Sequence, residues 1–290
     1  MDFTLSEIRS FHALIKQGSF TLAAKQLKVS QPAITAQIRK LESRVDQPLL
    51  ERFHKGVKPT EIGLKLYRLS CEYIDLDNAV AELFKPELQI ENFRLRIATS
   101  SPIIFMPLMS AFKKSYPNAK LKVISGTTEA CREAVLNREA DIGLFPITNV
   151  EKGMESKLYH RHYLVAILNN DHPLADQETV SISQLAHEPI IAHKPDSFTQ
   201  TFANKLYREQ GIEPQIEMEM GMAEHVCNAI ILNLGIGFSL SNDIQPNDKF
   251  KLVPVREALQ PVEEHLVWLK GQGRKQGVQE FVEMAIRDGD

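Results

Sequence analysis

Between Val29 and Arg44 the chain runs VSQPAITAQIRKLESR, a stretch that reads as a short helix with a single apolar face. Ile34, Ile38, Leu41 and Val45 recur at helical spacing and point into a core. Ser30 can cap the first turn, and Pro32 falls among the first helical positions, whose N–H groups have no partner in the helix. Pro32, Thr35, Ala36, Arg39 and Ser43 occupy the opposite side, with Gln31 at the tip, and that face is almost free of carboxylates. Gln can pair with adenine edges, Arg with guanine, and Thr with phosphate or a thymine methyl, so the face suits a DNA major groove. An ordinary solvated helix would look the same in isolation; the residues upstream narrow the choice. Leu5, Ile8, Phe11 and Ile15 mark an amphipathic helix that stops at Gly18, and Thr21 to Leu27 make a second, small-residue helix. Only Lys28 and Val29 then remain as a turn, which is the layout of a helix-turn-helix.

Charge is divided in the way this reading requires. From Met1 to Leu66 eleven Lys and Arg stand against six Asp and Glu, a surplus of five, so the rest of a chain of net charge -3 carries minus eight. A cationic N-terminal module on an acidic body fits phosphate binding confined to the first part. Within it, PLLERFHKGVKP from Pro48 to Pro59 brings Arg52, His54, Lys55 and Lys58 around Gly56, and a hairpin there would lay cations along a DNA backbone.

GSFTLAAKQLKVSQPAITAQIRKLE followed by PLLERFHKGVKPTEIG resembles the winged helix-turn-helix of LysR-type transcriptional regulators over about the first 65 residues. Asp46 stands where the family usually has Gly, Leu50 where Phe is usual, and Ala36 where many members carry Arg, which leaves Gln31, Thr35 and Arg39 as base-contact candidates beside Pro32. Arg52, Lys55 and Lys58 are the phosphate candidates. The resemblance implies double-stranded promoter DNA, a small-molecule inducer, RNA polymerase and further copies of the chain as partners, with no cofactor.

After Thr60, a second cap, Ile62, Leu66, Leu69, Tyr73, Leu76, Val80 and Leu83 alternate steps of four and three. That is a heptad stripe, which predicts self-association of a helix over 61–86; packing of one long helix on its own body is the alternative. In the family this helix pairs two subunits, which implies a dimer and, through the bodies, a tetramer. Lys85-Pro86 ends it, and 87–92 reads as a hinge.

From Phe93 strands alternate with helices, so the class is α/β with a mostly parallel sheet. Strands are expected at Phe93–Thr99, Leu121–Ile124, Asp141–Phe145, Tyr163–Leu168, Pro189–Ala192, Gln215–Met220, Lys251–Val255 and His265–Leu269, and a further segment GIGFSLS follows a helix at Ala223–Asn233. FMPLMSAFKKSYP, LNREADIGLF, HPLA and LGIGFSLS resemble the LysR effector module, whose two α/β subdomains share the fold of type 2 periplasmic-binding proteins; Glu139 replaces a common Gly and Ser241 a common Pro. The expected division is 1–60 winged helix-turn-helix, 61–86 linker helix, 87–92 hinge and 93–290 regulatory domain, with subdomain I at 93–161 and 270–290 and subdomain II at 162–269.

In open α/β sheets ligands collect beyond the carboxyl ends of strands, at helix N-termini that favour anions. Thr99-Ser100-Ser101-Pro102 and Gly126-Thr127-Thr128 combine a strand end, hydroxyls and a helix start. Helix capping accounts for them equally well; the family resemblance points instead to ligand contact, with Phe145-Pro146, His193 and Gly221-Met222 as the other walls. Hydroxyls without a fixed cation suggest a small, singly charged or polar anion, a carboxylate above all. His160 and His162 could share a metal, but no Cys or carboxylate at ligand spacing completes a site. Cys71, Cys131 and Cys227 are odd in number and far apart, so free thiols are expected. No signal-like segment or bilayer-length apolar run is evident, and a cytoplasmic protein follows as an expectation. Three functions fit: a ligand-responsive regulator, a DNA-binding protein whose body is an enzyme acting on a small acid, and an architectural binder with a degenerate pocket.

Overall fold

A computed structural model describes residues 3–45, 47–53, 56–82, 84, 93–147, 149–245, 247–258 and 260–288, and the chain divides into two compact units, Met1–Pro86 and Glu87–Asp290. The expected hinge at 87–92, together with His54, Lys55 and Leu83, lies outside the described residues.

The first unit opens with α1 (Leu5–Gln17), begun by a capping box in which Thr4 and Glu7 satisfy each other's backbone N–H. Gly18 closes it in the left-handed region at φ 63°. Ser19 caps α2 (Phe20–Leu27), and Lys28, also left-handed, turns the chain into α3 (Gln31–Val45). Ala23 and Ala24 let α2 lie close to its neighbours, and Phe11, Leu14, Ile34, Ile38 and Leu49 are fully buried between them. Each such aliphatic or aromatic side chain contributes on the order of 1.5–3 kcal/mol. β1 (Leu50–Phe53) and β2 (Gly56–Pro59) pair antiparallel as the wing. Gly56, at φ 139°, sits where a Cβ would lie 2.7 Å from the Gly18 carbonyl oxygen, and Val57 N–H donates to that same oxygen at 3.2 Å. The wing is thus pinned to the α1–α2 turn by a contact only glycine permits.

Thr60 caps α4 (Glu61–Glu82) through the Gly63 N–H. The heptad stripe divides within it. Ile62, Leu66 and Tyr73 pack against the module's own core, whereas Leu69, Leu76 and Val80 stand exposed, Leu69 at 62%. The seven-member seam expected from spacing is therefore shorter: its first turns serve the winged module, because spacing alone cannot say which partner a stripe meets. Arg9 of α1 pairs with Asp77 at 2.7 Å and ties the middle of α4 down.

The second unit runs β3 (Arg94–Thr99), α5 (Pro102–Ser115), β4 (Lys120–Ser125), α6 (Thr128–Leu136), β5 (Ile142–Pro146), β6 (Met154–His162), β7 (Leu164–Asn169), β8 (Ile190–His193), α7 (Phe198–Glu209), β9 (Ile216–Met220), α8 (Ala223–Ile231), β10 (Gly237–Leu240), β11 (Phe250–Pro254), β12 (Val262–Leu269) and α9 (Gln276–Asp288). Five strands form one sheet in the order β4-β3-β5-β12-β6, with β3, β4 and β5 parallel and β12 antiparallel to both β5 and β6. The other strands form β10-β7-β11 and β8-β9, joined by a bridge between Ile190 and Ile236, so their order β9-β8-β10-β7-β11 repeats that of the first sheet. Two α/β subdomains result, each with its own core.

Two expectations change. The sheets are mixed and not mostly parallel, because the chain crosses between subdomains and returns through antiparallel strands. The second boundary also moves: β12 belongs to the first sheet, so residues 262–269 are part of subdomain I and not of subdomain II. The Lys270-Gly271 turn marks the end of that strand and not the crossing. Buried Asp141, from the DIGLF segment, accepts from the Arg96 backbone and guanidinium and pairs with Lys275 at 3.1 Å. Burial raises its pKa, but the Arg96 hydrogen bonds and the Lys275 charge outweigh that and leave it lowered.

Candidate DNA-reading helix and effector cleft

α3 buries Ile34, Ile38 and Leu41 and leaves Gln31, Pro32, Ala36, Arg39 and Lys40 exposed, as the spacing implied. Gln37 fixes its height on α1 through Ser6 and Ser10. Gln31 accepts from the Thr21 hydroxyl at 3.2 Å, and Thr35 donates to the Gln31 carbonyl at 3.1 Å, so both polar ends are held by weak local bonds that a base edge can replace. Arg39 makes no ion pair among the described residues, whereas Arg44, one turn on, is committed to buried Glu7. A guanidinium exposed and unpaired beside an uncharged helix tip is what bidentate base reading needs. On the wing, Lys58 is exposed with its Nζ 5.6 Å from the Phe53 ring centre and its backbone opposite Glu51. The Arg52 side chain and Lys55 lie outside the described residues.

In the second unit the expected cleft loops divide by role. Ser100 N–H donates to the Leu144 carbonyl and Gly126 N–H to the Thr99 carbonyl, so the carboxyl ends of β3, β4 and β5 and the starts of α5 and α6 come together. Buried at this junction, the Ser100 Oγ and Thr128 Oγ1 atoms have no hydrogen-bond partner among the described residues. Thr127 caps α6 through the Ala130 N–H at 3.2 Å. Thr99 and Phe145 do not line a cleft. Thr99 is fully buried and accepts from the Ser101 N–H at 3.1 Å, a turn contact; Phe145 is fully buried against Cys131 and Val135. Alternation along a strand decides this, since residues just before the strand ends still face the core.

Across in the other subdomain, His193 and Met220 are register partners at the ends of β8 and β9, which brings His193 beside Gly221-Met222. The His193 Nε2 is 2.9 Å from the Phe238 carbonyl; burial lowers its pKa, so the ring is neutral and donates from Nε2. Met222 is exposed at the start of α8. Lys194, exposed, adds a cation at this lip, its Cε 3.5 Å from where a Gly221 Cβ would lie.

Beside Ser101 and His162 the floor holds Asp243 and Glu264, which spacing did not single out. Ser101 Oγ donates to Glu264 Oε1 at 2.9 Å and lies 3.4 Å from Asp243 Oδ2. His162 Nε2 is 3.3 Å from Glu264 Oε1 but out of hydrogen-bonding geometry. Ser101, His162 and Glu264 are buried, and Asp243 belongs to the opposite subdomain, so the cluster spans the crossover. Burial and the Glu264 charge raise the Asp243 carboxyl to about 7. A floor of neutral hydroxyls was the basis for expecting an anion; Ser101, one of them, also meets two carboxylates. Val262, Glu264 and Leu266 fall on alternate buried positions of β12, so a carboxylate on an inward face was a legible signal, missed because the strand was expected to begin only at His265. A separate pocket of about 310 Å³, lined by Asp171, His172, Glu188, Asn233 and Gly235 among others, lies at the opposite end of β8, away from these loops.

Residues 5–64 match the model of the bacterial regulatory helix-turn-helix protein, lysR family, and residues 91–289 match the LysR substrate binding domain. The chain belongs to the LysR family. Members combine these two modules as DNA-binding transcriptional regulators controlled by small-molecule effectors, and this chain has both. It is 29% identical over 233 residues to the HTH-type transcriptional regulator CysL of Bacillus subtilis, covering 79% of this chain and 78% of that one. Among solved structures, a full-length OxyR variant of Pseudomonas aeruginosa matches with a TM-score of 0.78 at 16% identity, over 98% of this chain and 95% of that one. Full-length CbnR complexed with its target DNA matches at 0.56 and 20% identity, over 99% of this chain and all of that one, and both likenesses carry the fold. No described helix is long and apolar enough to cross a membrane.

Proposed function

We propose that this LysR-type regulator reads promoter DNA with Gln31, Thr35 and Arg39 of α3, and anchors to phosphates with the wing around Lys58. The observation that carries this is the exposed, carboxylate-free face of α3 ending in an unpaired Arg39. Leu69, Leu76 and Val80 form the open part of a dimer seam, and the bodies pair dimers into a tetramer, so two recognition helices meet a two-fold target. The body is a sensor and not an enzyme: an effector bridges the subdomains over Ser100, Thr127 and Thr128, and the protein works in the cytoplasm. A ligand shifts closure only through its differential affinity for the two forms. Mapping chromosomal occupancy of the full-length protein tests the reading. We expect a small set of two-fold symmetric sites upstream of genes; uniform, sequence-independent coverage would contradict it.

A further inference from the structure

We propose that the cleft floor receives the cationic head of a small molecule, an ammonium or amidinium group, against Asp243 and Glu264. This rests on the effector-cleft reading above and specifies the ligand's charge. Asp243 Oδ1 and Glu264 Oε2 are buried acceptors with no hydrogen-bond donor, and no Lys or Arg pairs with either carboxylate among the described residues. Two carboxylates reaching one serine hydroxyl from opposite subdomains lack only donors, because burying such charge without a cation is costly.

A second observation comes from the ring beside Glu264. His162 is fully buried, its Nε2 turned toward Glu264, and neither ring nitrogen has a hydrogen-bond partner among the described residues. Ser100 Oγ and Thr128 Oγ1, at the junction of the β3 and β4 loops, are likewise without partners. Asp243 and Glu264 thus each lack a donor, and an ammonium with three N–H donors can serve both. Such a head bridges Ser101 and Glu264 of one subdomain and Asp243 of the other, so it favours the closed form. The groups facing the carboxylates are His162 and His160 on β6, Cys131 on α6 and neighbouring His265 on β12, none of them a permanent cation. Asp243, raised to about 7, must release its proton to hold a cation, so binding strengthens as pH rises through that value.

The test titrates the full-length protein by calorimetry with methylammonium, agmatine, succinate and magnesium chloride separately, at about pH 6 and about pH 8. We expect the two amines to bind, more tightly at the higher pH, and Asp243→Asn and Glu264→Gln each to weaken them about tenfold. Thermal melts confirm that the variants fold, and Asp243→Asn, at a half-buried loop position, stands as the second variant should Glu264→Gln not. Succinate binding with the amines inert would overturn the cationic head while leaving the effector cleft in place. Magnesium binding alone, amine binding indifferent to both variants, or silence of every probe would each overturn it too. Failure of the underlying reading is separate: amine binding that leaves the DNA footprint of the full-length protein unchanged would remove the effector role of the cleft while leaving the cationic site.

Discussion

The ionisation of Asp243 is coupled to folding. Its carboxyl is raised to about 7, against about 3.9 for an unperturbed aspartate in the unfolded chain. Between those values the native protein binds more protons than the unfolded one, so this group's contribution falls as pH rises from about 4 to about 7 and is level above. Asp243→Asn should flatten that slope and raise the melting temperature near pH 8 relative to wild type. Melts across this range check it; an unchanged slope would show that Asp243 does not titrate where its burial implies. At the same scale, residues whose job is written in their own chemistry were legible: Gly18 as a stop, Ser30 and Thr60 as caps, and the Ile34, Ile38 and Leu41 face. The joint role of Glu264 and Asp243 was not, because it depends on elements that converge from distant parts of the chain.

Among the elements, α4 carries the clearest division of labour. The regular stripe along it made the helix certain, but not the partner of each turn: Ile62, Leu66 and Tyr73 go inward, Leu69, Leu76 and Val80 remain outside. Leu69→Asp with Leu76→Asp would place charge in a seam that can be desolvated only with a partner. Sedimentation at micromolar concentration should show monomers; dimers persisting in the double variant would remove the seam. The wing behaves differently, since Lys58 contributes affinity without sequence. Lys58→Ala should weaken binding to all DNA alike and reduce the salt slope by about one, read from titrations at several salt concentrations. Among strands, alternation located most but hid the antiparallel return of β12, since a strand's direction is not encoded in which residues it buries.

At the scale of the molecule, charge divides along the chain as fold does, with a surplus of five over residues 1–66 and minus eight over the remainder. That division was legible from composition, and so was the α/β character of the body. The pseudo-repeat of two five-strand orders was not, because it exists only in pairing. Control of DNA binding by an effector belongs to this scale. Ser100→Ala with Thr127→Ala removes one unpartnered hydroxyl and one cap from the cleft floor, and should abolish an effector's change to the DNA footprint. A footprint response equal to wild type would mean that those hydroxyls serve the fold alone.

The central claim is that α3 reads sequence, and Arg39 tests it most directly. Fluorescence anisotropy of the full-length protein on a mapped site and on a scrambled duplex, for wild type and Arg39→Ala, compares the two at one salt concentration. Loss of about 1–3 kcal/mol on the mapped site with little change on the scrambled one is the predicted result. Equal losses on both would contradict it and reduce Arg39 to a phosphate contact.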